Sequence, residues 1–291
     1  PTVAPAALPL AVPQSTTVAI NPRLIVKHSL VISQVDETTS VLISDEDHVV
    51  MLKTYEFHYG PGKRPNPGVE PNREQLTALQ SIIKDGLVPY ADFAVFGPHA
   101  SRRQRKMILQ GTRWRADGTL GPIEITGPSE FEYWGGAWFV YENAMLMLKA
   151  MDLGVLKDYH EKIKSLYKMY GGQATWLLLY QTDVRARLEH AQRVKLNLME
   201  EDMDARGVGR PGTFDTARPW NQVFTAILKD KTFWEEEFEK PAQMQLARMT
   251  ATLANRGIPV RPRLLLSKED SLSGETCLLY TSPSPRDVEE S

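Results

Sequence analysis

Six basic residues lie close together with no acid among them: Arg102, Arg103, Arg105, Lys106, Arg113 and Arg115, between Pro98 and Asp117. Clustered guanidinium and ammonium groups neutralise phosphates, and an interleaved aromatic such as Trp114 offers a face for a base to stack on. These six are the candidate nucleic-acid-binding residues. The simpler reading is a solvated face beside a core tryptophan, since short charge runs usually serve solvation.

The remaining chemistry-bearing residues do not assemble into a signature. His28, His48, His58, His99, His160 and His190 are scattered, and none stands four residues from another with a glutamate between. Asp183 and His190 are separated by about 10 Å along one helix, too far for a direct pair. Glu189-His190, Asp158-His160 and Glu200-Glu201 read as solvated helix charge. No G-x-S-x-G elbow occurs. Gly207–Gly212 matches G-x-G-x-x-G literally, but it follows an acidic helix end rather than a strand and reads as a flexible loop. Gly62-Lys63 lacks the following hydroxyl residue of a phosphate loop. The one cysteine, Cys277, excludes an internal disulfide and any multi-cysteine metal site. No catalytic residue, metal ligand or cofactor is assigned.

The elements around these residues are mainly helical. Residues 129–203 read as three consecutive amphipathic helices. Ser129 with Glu132 predicts a capping box, followed by Phe131, Trp134, Trp138, Tyr141, Met145 and Leu148 on one face. Gly135-Gly136 inside that pattern predicts a close backbone neighbour or a local break. A second helix starts near Asp152 and stops at Gly171-Gly172. The third is the longest, with an apolar stripe of Trp176, Tyr180, Val184, Leu188, Ala191, Val194 and Leu198. Its other face carries Arg185, Arg187, Arg193 and Lys195. Short loops fold the three into an antiparallel bundle. Beyond them, Trp220–Ile227 predicts a short helix and Asp230 caps another. Pro241 starts a new turn or kinks the rod, and Met244, Leu246, Met249 and Leu253 carry the pattern to Asn255.

Ahead of the bundle, Leu24–Val26, Leu30–Ile32, Val41–Ile43 and Val49–Leu52 read as short strands. Asn72 caps a helix running to Asp85, with Leu76, Leu79, Ile82 and Ile83 inward. Pro89–Pro98 is a buried apolar segment. Met107–Arg115 and Leu120–Ile125 flank Asp117-Gly118, a favoured two-residue hairpin turn. The fold class is therefore mainly α: an antiparallel helical bundle with a small β-hairpin-containing N-terminal portion, α+β overall. The expected organisation is a Pro/Ala-rich disordered linker at 1–22, a small α+β region at 23–126, a helical domain at 127–257 and a disordered tail at 258–291.

Composition fits an ordinary globular chain, with 42% hydrophobic and 24% charged residues. A net charge of −2 gives no global pull towards nucleic acid or membrane. No apolar run approaches the ~18 residues of a membrane span, and no signal peptide is visible. The expectation is an intracellular protein, cytoplasmic or nuclear, with no membrane partner. The chain opens on Pro1, so a native start is expected further upstream. Cys277–Asp287 resembles, residue for residue, a transposase-type sequencing-library adapter translated in frame, and native sequence is expected to stop near Thr276.

Several blocks, in order, carry a resemblance: Pro89–His99, Gly127-Pro128-Ser129, Asp152-Leu153-Gly154, Leu179–His190 and Arg218-Pro219-Trp220-Asn221. They resemble an uncharacterised multicopy protein family of protist genomes, often found in open reading frames of retrotransposon type, over roughly residues 70–255. The resemblance implies a Gag-like structural region: a helical, self-associating module close to RNA or DNA. It transfers no catalytic residue. Two alternatives stand beside it, a helical protein-interaction scaffold and a fragment of a mobile-element polyprotein enzyme lacking its catalytic part.

Overall fold

The computed structural model describes residues 24–32, 38–98, 108–114 and 120–255. Two short strands, β1 (Ile25–Lys27) and β2 (Thr39–Val41), pair antiparallel with Ile25 opposite Val41. Between them a single helical turn, α1 (His28–Val31), takes residues expected as strand. The larger departure is α2 (Asp45–Tyr59), which includes Val49–Leu52. Ser44 caps it by accepting the Asp47 amide, and Asp45, Glu46 and Asp47 crowd the positive end of the helix dipole. Those local helix signals outweigh the β preference of two valines.

Helix α3 (Arg73–Lys84) forms as the sequence indicates, with a reciprocal capping box between Asn72 and Gln75. Leu76, Leu79 and Ile82 are buried and Ile83 is partly so. The segment 88–96 passes through the core, burying Tyr90, Ala91, Phe93 and Phe96. Strands β3 (Ile108–Trp114) and β4 (Leu120–Thr126) form the expected antiparallel hairpin, with Gly111 opposite Ile123; its turn lies outside the described residues. Gly127 then passes so close to Tyr180 that a Cβ there would run into the ring.

Helix α4 (Phe131–Met147) is covered on nearly every side. Its N-cap is Glu130, with no side-chain cap bond, so the predicted Ser129–Glu132 box does not form. Gly135 and Gly136 neither break the helix nor meet a neighbouring backbone. A Cβ on Gly136 would touch only the Pro98 ring at 3.6 Å, and one on Gly135 would meet nothing within 4 Å. Helix α5 (Leu153–Met169) follows from Asp152 and ends at Gly171, whose φ of +84° suits glycine.

The long rod consists of α6 (Trp176–Arg185), a π-helical turn (Ala186–His190) and α7 (Ala191–Gly207). It continues beyond Leu198, the last residue of the expected stripe, to Gly207. Its buried face is rotated from the expected stripe: Leu188 is exposed while Asp183, Arg187 and His190 point inward. The loop after Gly207 is anchored rather than free, because the buried Asp202 carboxylate accepts the Thr213 and Phe214 amides and pairs with Arg206.

Helix α8 (Pro219–Lys229) and α9 (Lys231–Trp234) follow, the latter capped by Asp230 through the Phe233 amide. A second π-helical turn (Glu235–Glu239) leads into α10 (Lys240–Asn255), which carries Pro241 without ending. Proline cannot donate to the carbonyl four residues back. That carbonyl, on Glu237, instead accepts the Thr182 hydroxyl at 3.0 Å. Met244 and Met249, expected inward, face solvent; Leu246 is the buried position. One continuous apolar cluster runs from Val26 to Ala242, spanning residues on both sides of position 126.

Candidate functional site

The basic cluster is only partly placed. Arg113 stands in β3 opposite Gly121, one residue before the end of the strand. Arg102, Arg103, Arg105, Lys106 and Arg115 lie outside the described residues.

The densest polar chemistry is elsewhere, in the middle of the core. Asp183 on α6 and Arg187 in the π-helical turn are 0% and 1% exposed in their side chains and pair at 2.8 Å. The Arg187 fork gives Nε and Nη2 to the carboxylate and sends Nη1 to the Ala91 carbonyl at 2.9 Å. Its plane lies 4.0 Å from the Phe93 ring centre. Asp183 also accepts the Trp134 indole N–H from α4 and the Tyr159 hydroxyl from α5, both at 3.0 Å. Four parts of the chain (α4, α5, the rod and segment 88–96) thus meet on one carboxylate and one guanidinium. Stacked rings enclose them: Trp134 on Trp138 at 5.3 Å and Trp138 on Tyr159 at 5.0 Å.

Electrostatics keep this centre fixed. Burial alone would favour a neutral guanidinium, but the Asp183 charge and hydrogen bonds overcome it and hold Arg187 above the ordinary arginine value. Burial, reinforced by Asp183, pushes the Tyr159 hydroxyl well above its usual value. Tyr141 and Tyr90 are pushed up by burial in the same way, against the pull of Arg187. At neutral pH the phenols stay protonated and the arginine charged. The carboxylate's partners are all internal and its side chain has no solvent exposure, so the arrangement holds the bundle together and offers no nucleophile or base to a substrate.

The two histidines expected on solvated faces, His160 and His190, are also packed, and so is His28. His190 lies flat on Phe233 at 4.1 Å between ring centres. Its Nε2 stands 3.1 Å from Asp230 Oδ2, off the line of a good hydrogen bond. His160 stacks on Trp134 at 5.7 Å and leans on Phe139. His28 shares a 2.8 Å hydrogen bond with Ser40. Burial lowers all three below the ordinary histidine value, and in His190 it outweighs Asp230. Glu142 is the complementary case: burial raises its carboxyl, although the Tyr59 hydroxyl donates to it at 3.3 Å.

Among the described residues, no three of His, Cys, Asp and Glu come together as metal ligands would, and no helix is long and apolar enough to cross a membrane. The outer surface carries what the core does not use. Leu196, Met199 and Met203 are exposed on α7, and Val49, Val50 and Phe57 on α2, with Phe57 at 86%. Sequence reasoning missed the Asp183–Arg187 centre, although their four-residue spacing beside Tyr180 and Ala191 was the available signal. Compared with known proteins, the chain matches no family model, no curated protein and no solved structure.

Proposed function

We propose that this chain is a non-catalytic structural and binding module, one that associates with itself and lies close to nucleic acid, as in the Gag-like region of a mobile element. The observation that carries the reading is the contrast between interior and surface. The buried ionisable groups at the centre are spent on one another, whereas large apolar side chains stand exposed in rows on α2 and α7. Exposed apolar rows on a folded chain are the usual mark of an interaction surface. The mobile-element setting comes from the protist-family resemblance alone.

The nucleic-acid part rests on Arg102, Arg103, Arg105, Lys106, Arg113 and Arg115. Replacing Arg102, Arg103 and Arg105 together by serine is expected to weaken single-stranded RNA binding. It should also reduce the slope of log affinity against log salt by about 0.7 for each phosphate no longer neutralised. Filter binding across a salt series reads both quantities. An unchanged slope would remove these residues from the interface.

A further inference from the structure

From the π-helical turn through α7, one surface line repeats at steps of three, four, three, four and three residues: Glu189, Gln192, Leu196, Met199, Met203 and Arg206. This is the spacing of a seam between two helices. Leu196 is 54% exposed, Met199 37% and Met203 69%. Glu189, Gln192 and Arg206 are exposed too. The flank of α7 beside this line is already occupied, where Ala191 and Asp202 are buried and Lys195 donates to the Gly86 carbonyl.

The line reads the same in both directions in its spacing and reverses its charge from end to end. That property selects the occupant. We infer that a second copy of this chain docks here, with the two α7 helices antiparallel and the twofold axis between Leu196 and Met199. This rests on the proposal that the chain self-associates, and it names the surface. In that register Leu196 meets Met199 of the second copy and Gln192 meets its Met203. Glu189 closes each end against Arg206 of the second copy, and Arg193 flanks its Glu200. Each contact occurs twice by symmetry. Arg206 already pairs with Asp202 at 2.8 Å, and a guanidinium has donors to spare for a second carboxylate. A parallel pairing would instead set Glu189 against Glu189 and Arg206 against Arg206 of the second copy, where like charges repel. With three apolar side chains per copy, the seam falls short of the ~1,200 Å² of a standard stable interface, so the pairing is reversible and concentration-dependent.

The test uses the full chain in a Cys277→Ser background, carrying either Gln192→Cys or Met203→Cys. In the antiparallel register these two positions are adjacent across the seam. Two copies of either one are separated by about 16 Å along the helices, beyond the reach of a disulfide. With oxidised glutathione as oxidant, the mixture of the two variants is expected to give covalent dimer as its main product, and each variant alone little. Cross-linking of Gln192→Cys with itself would overturn the antiparallel register. A second variant, Leu196→Glu, changes an exposed side chain and should leave the far-UV circular dichroism intact. It is expected to abolish the rise of light-scattering mass with concentration. If the unmodified chain gains mass and Leu196→Glu gains it equally, self-association stands and this surface is wrong. If the unmodified chain stays monomeric, both readings fall.

Discussion

Replacing Asp183 by asparagine tests the role given to the buried centre. The substitution keeps the shape, but its one carbonyl oxygen can serve only one of the two donors, since Trp134 donates to Oδ2 and Tyr159 to Oδ1, both at 3.0 Å, and the amide nitrogen then faces the other. It also removes the negative charge. Arg187, 1% exposed, then remains as a buried cation supported only by the Ala91 carbonyl and the faces of Phe93 and Tyr90. Removing one partner of a buried ion pair typically costs about 3–5 kcal/mol, because the other charge is left uncompensated. That is a large share of the ~5–15 kcal/mol by which a domain is usually stable. Replacing both partners, Asp183→Leu with Arg187→Met, leaves no stranded charge. It is expected to cost much less than either single change, so the two singles should not add. Urea unfolding followed by tryptophan fluorescence reads all three variants, since Trp134 and Trp138 sit on the centre. A loss below about 1 kcal/mol for Asp183→Asn, the range of a surface pair, would refute the claim that this pair locks the bundle.

Two further outcomes follow from the core. Gly135→Ala fills space in which the new methyl meets no side chain and no other element within 4 Å, inside a helix that gains from alanine. It should raise stability by about 0.5–1 kcal/mol, and a lower urea midpoint would show a clash not visible in the structure. Acid should weaken the fold early. His28, His160 and His190 have folded pKa values below the ordinary 6.5, so the unfolded chain takes up protons first as pH falls. Their contribution is full above about pH 6.5 and lost below it, while Glu142, raised by burial, opposes that trend. Urea midpoints at successive pH values should therefore decline from about pH 6.5 downward, and a flat profile there would contradict the burial of these rings.

Local signals in the sequence are enough at some element ends and not at others. Asn72 with Gln75 marks the start of α3 and Gly171 the end of α5, whereas the Ser129–Glu132 box does not form and the Asp117-Gly118 turn lies outside the described residues. The same logic applies at Ser44 and the acids after it, although the run Val49–Leu52 by itself reads as strand. In the rod, the failure has a different cause. Charged residues are assigned outward by type, yet Asp183 and Arg187 stand four apart on the inward face, and their mutual neutralisation makes burial tolerable. Leu188, assigned inward, is exposed at 40%. Neither π-helical turn has a sequence mark that periodicity alone would reveal. Pairing across the fold, such as Thr182 with the Glu237 carbonyl freed by Pro241, depends on residues far apart in the chain.

If this chain works through its surfaces, by associating with itself, its mass in solution must depend on concentration. Light scattering on the full chain from low to high micromolar concentration tests that most directly. The predicted result is a molar mass that rises from the monomer's 32.8 kDa towards the dimer. A mass that stays at 32.8 kDa at every concentration would contradict it.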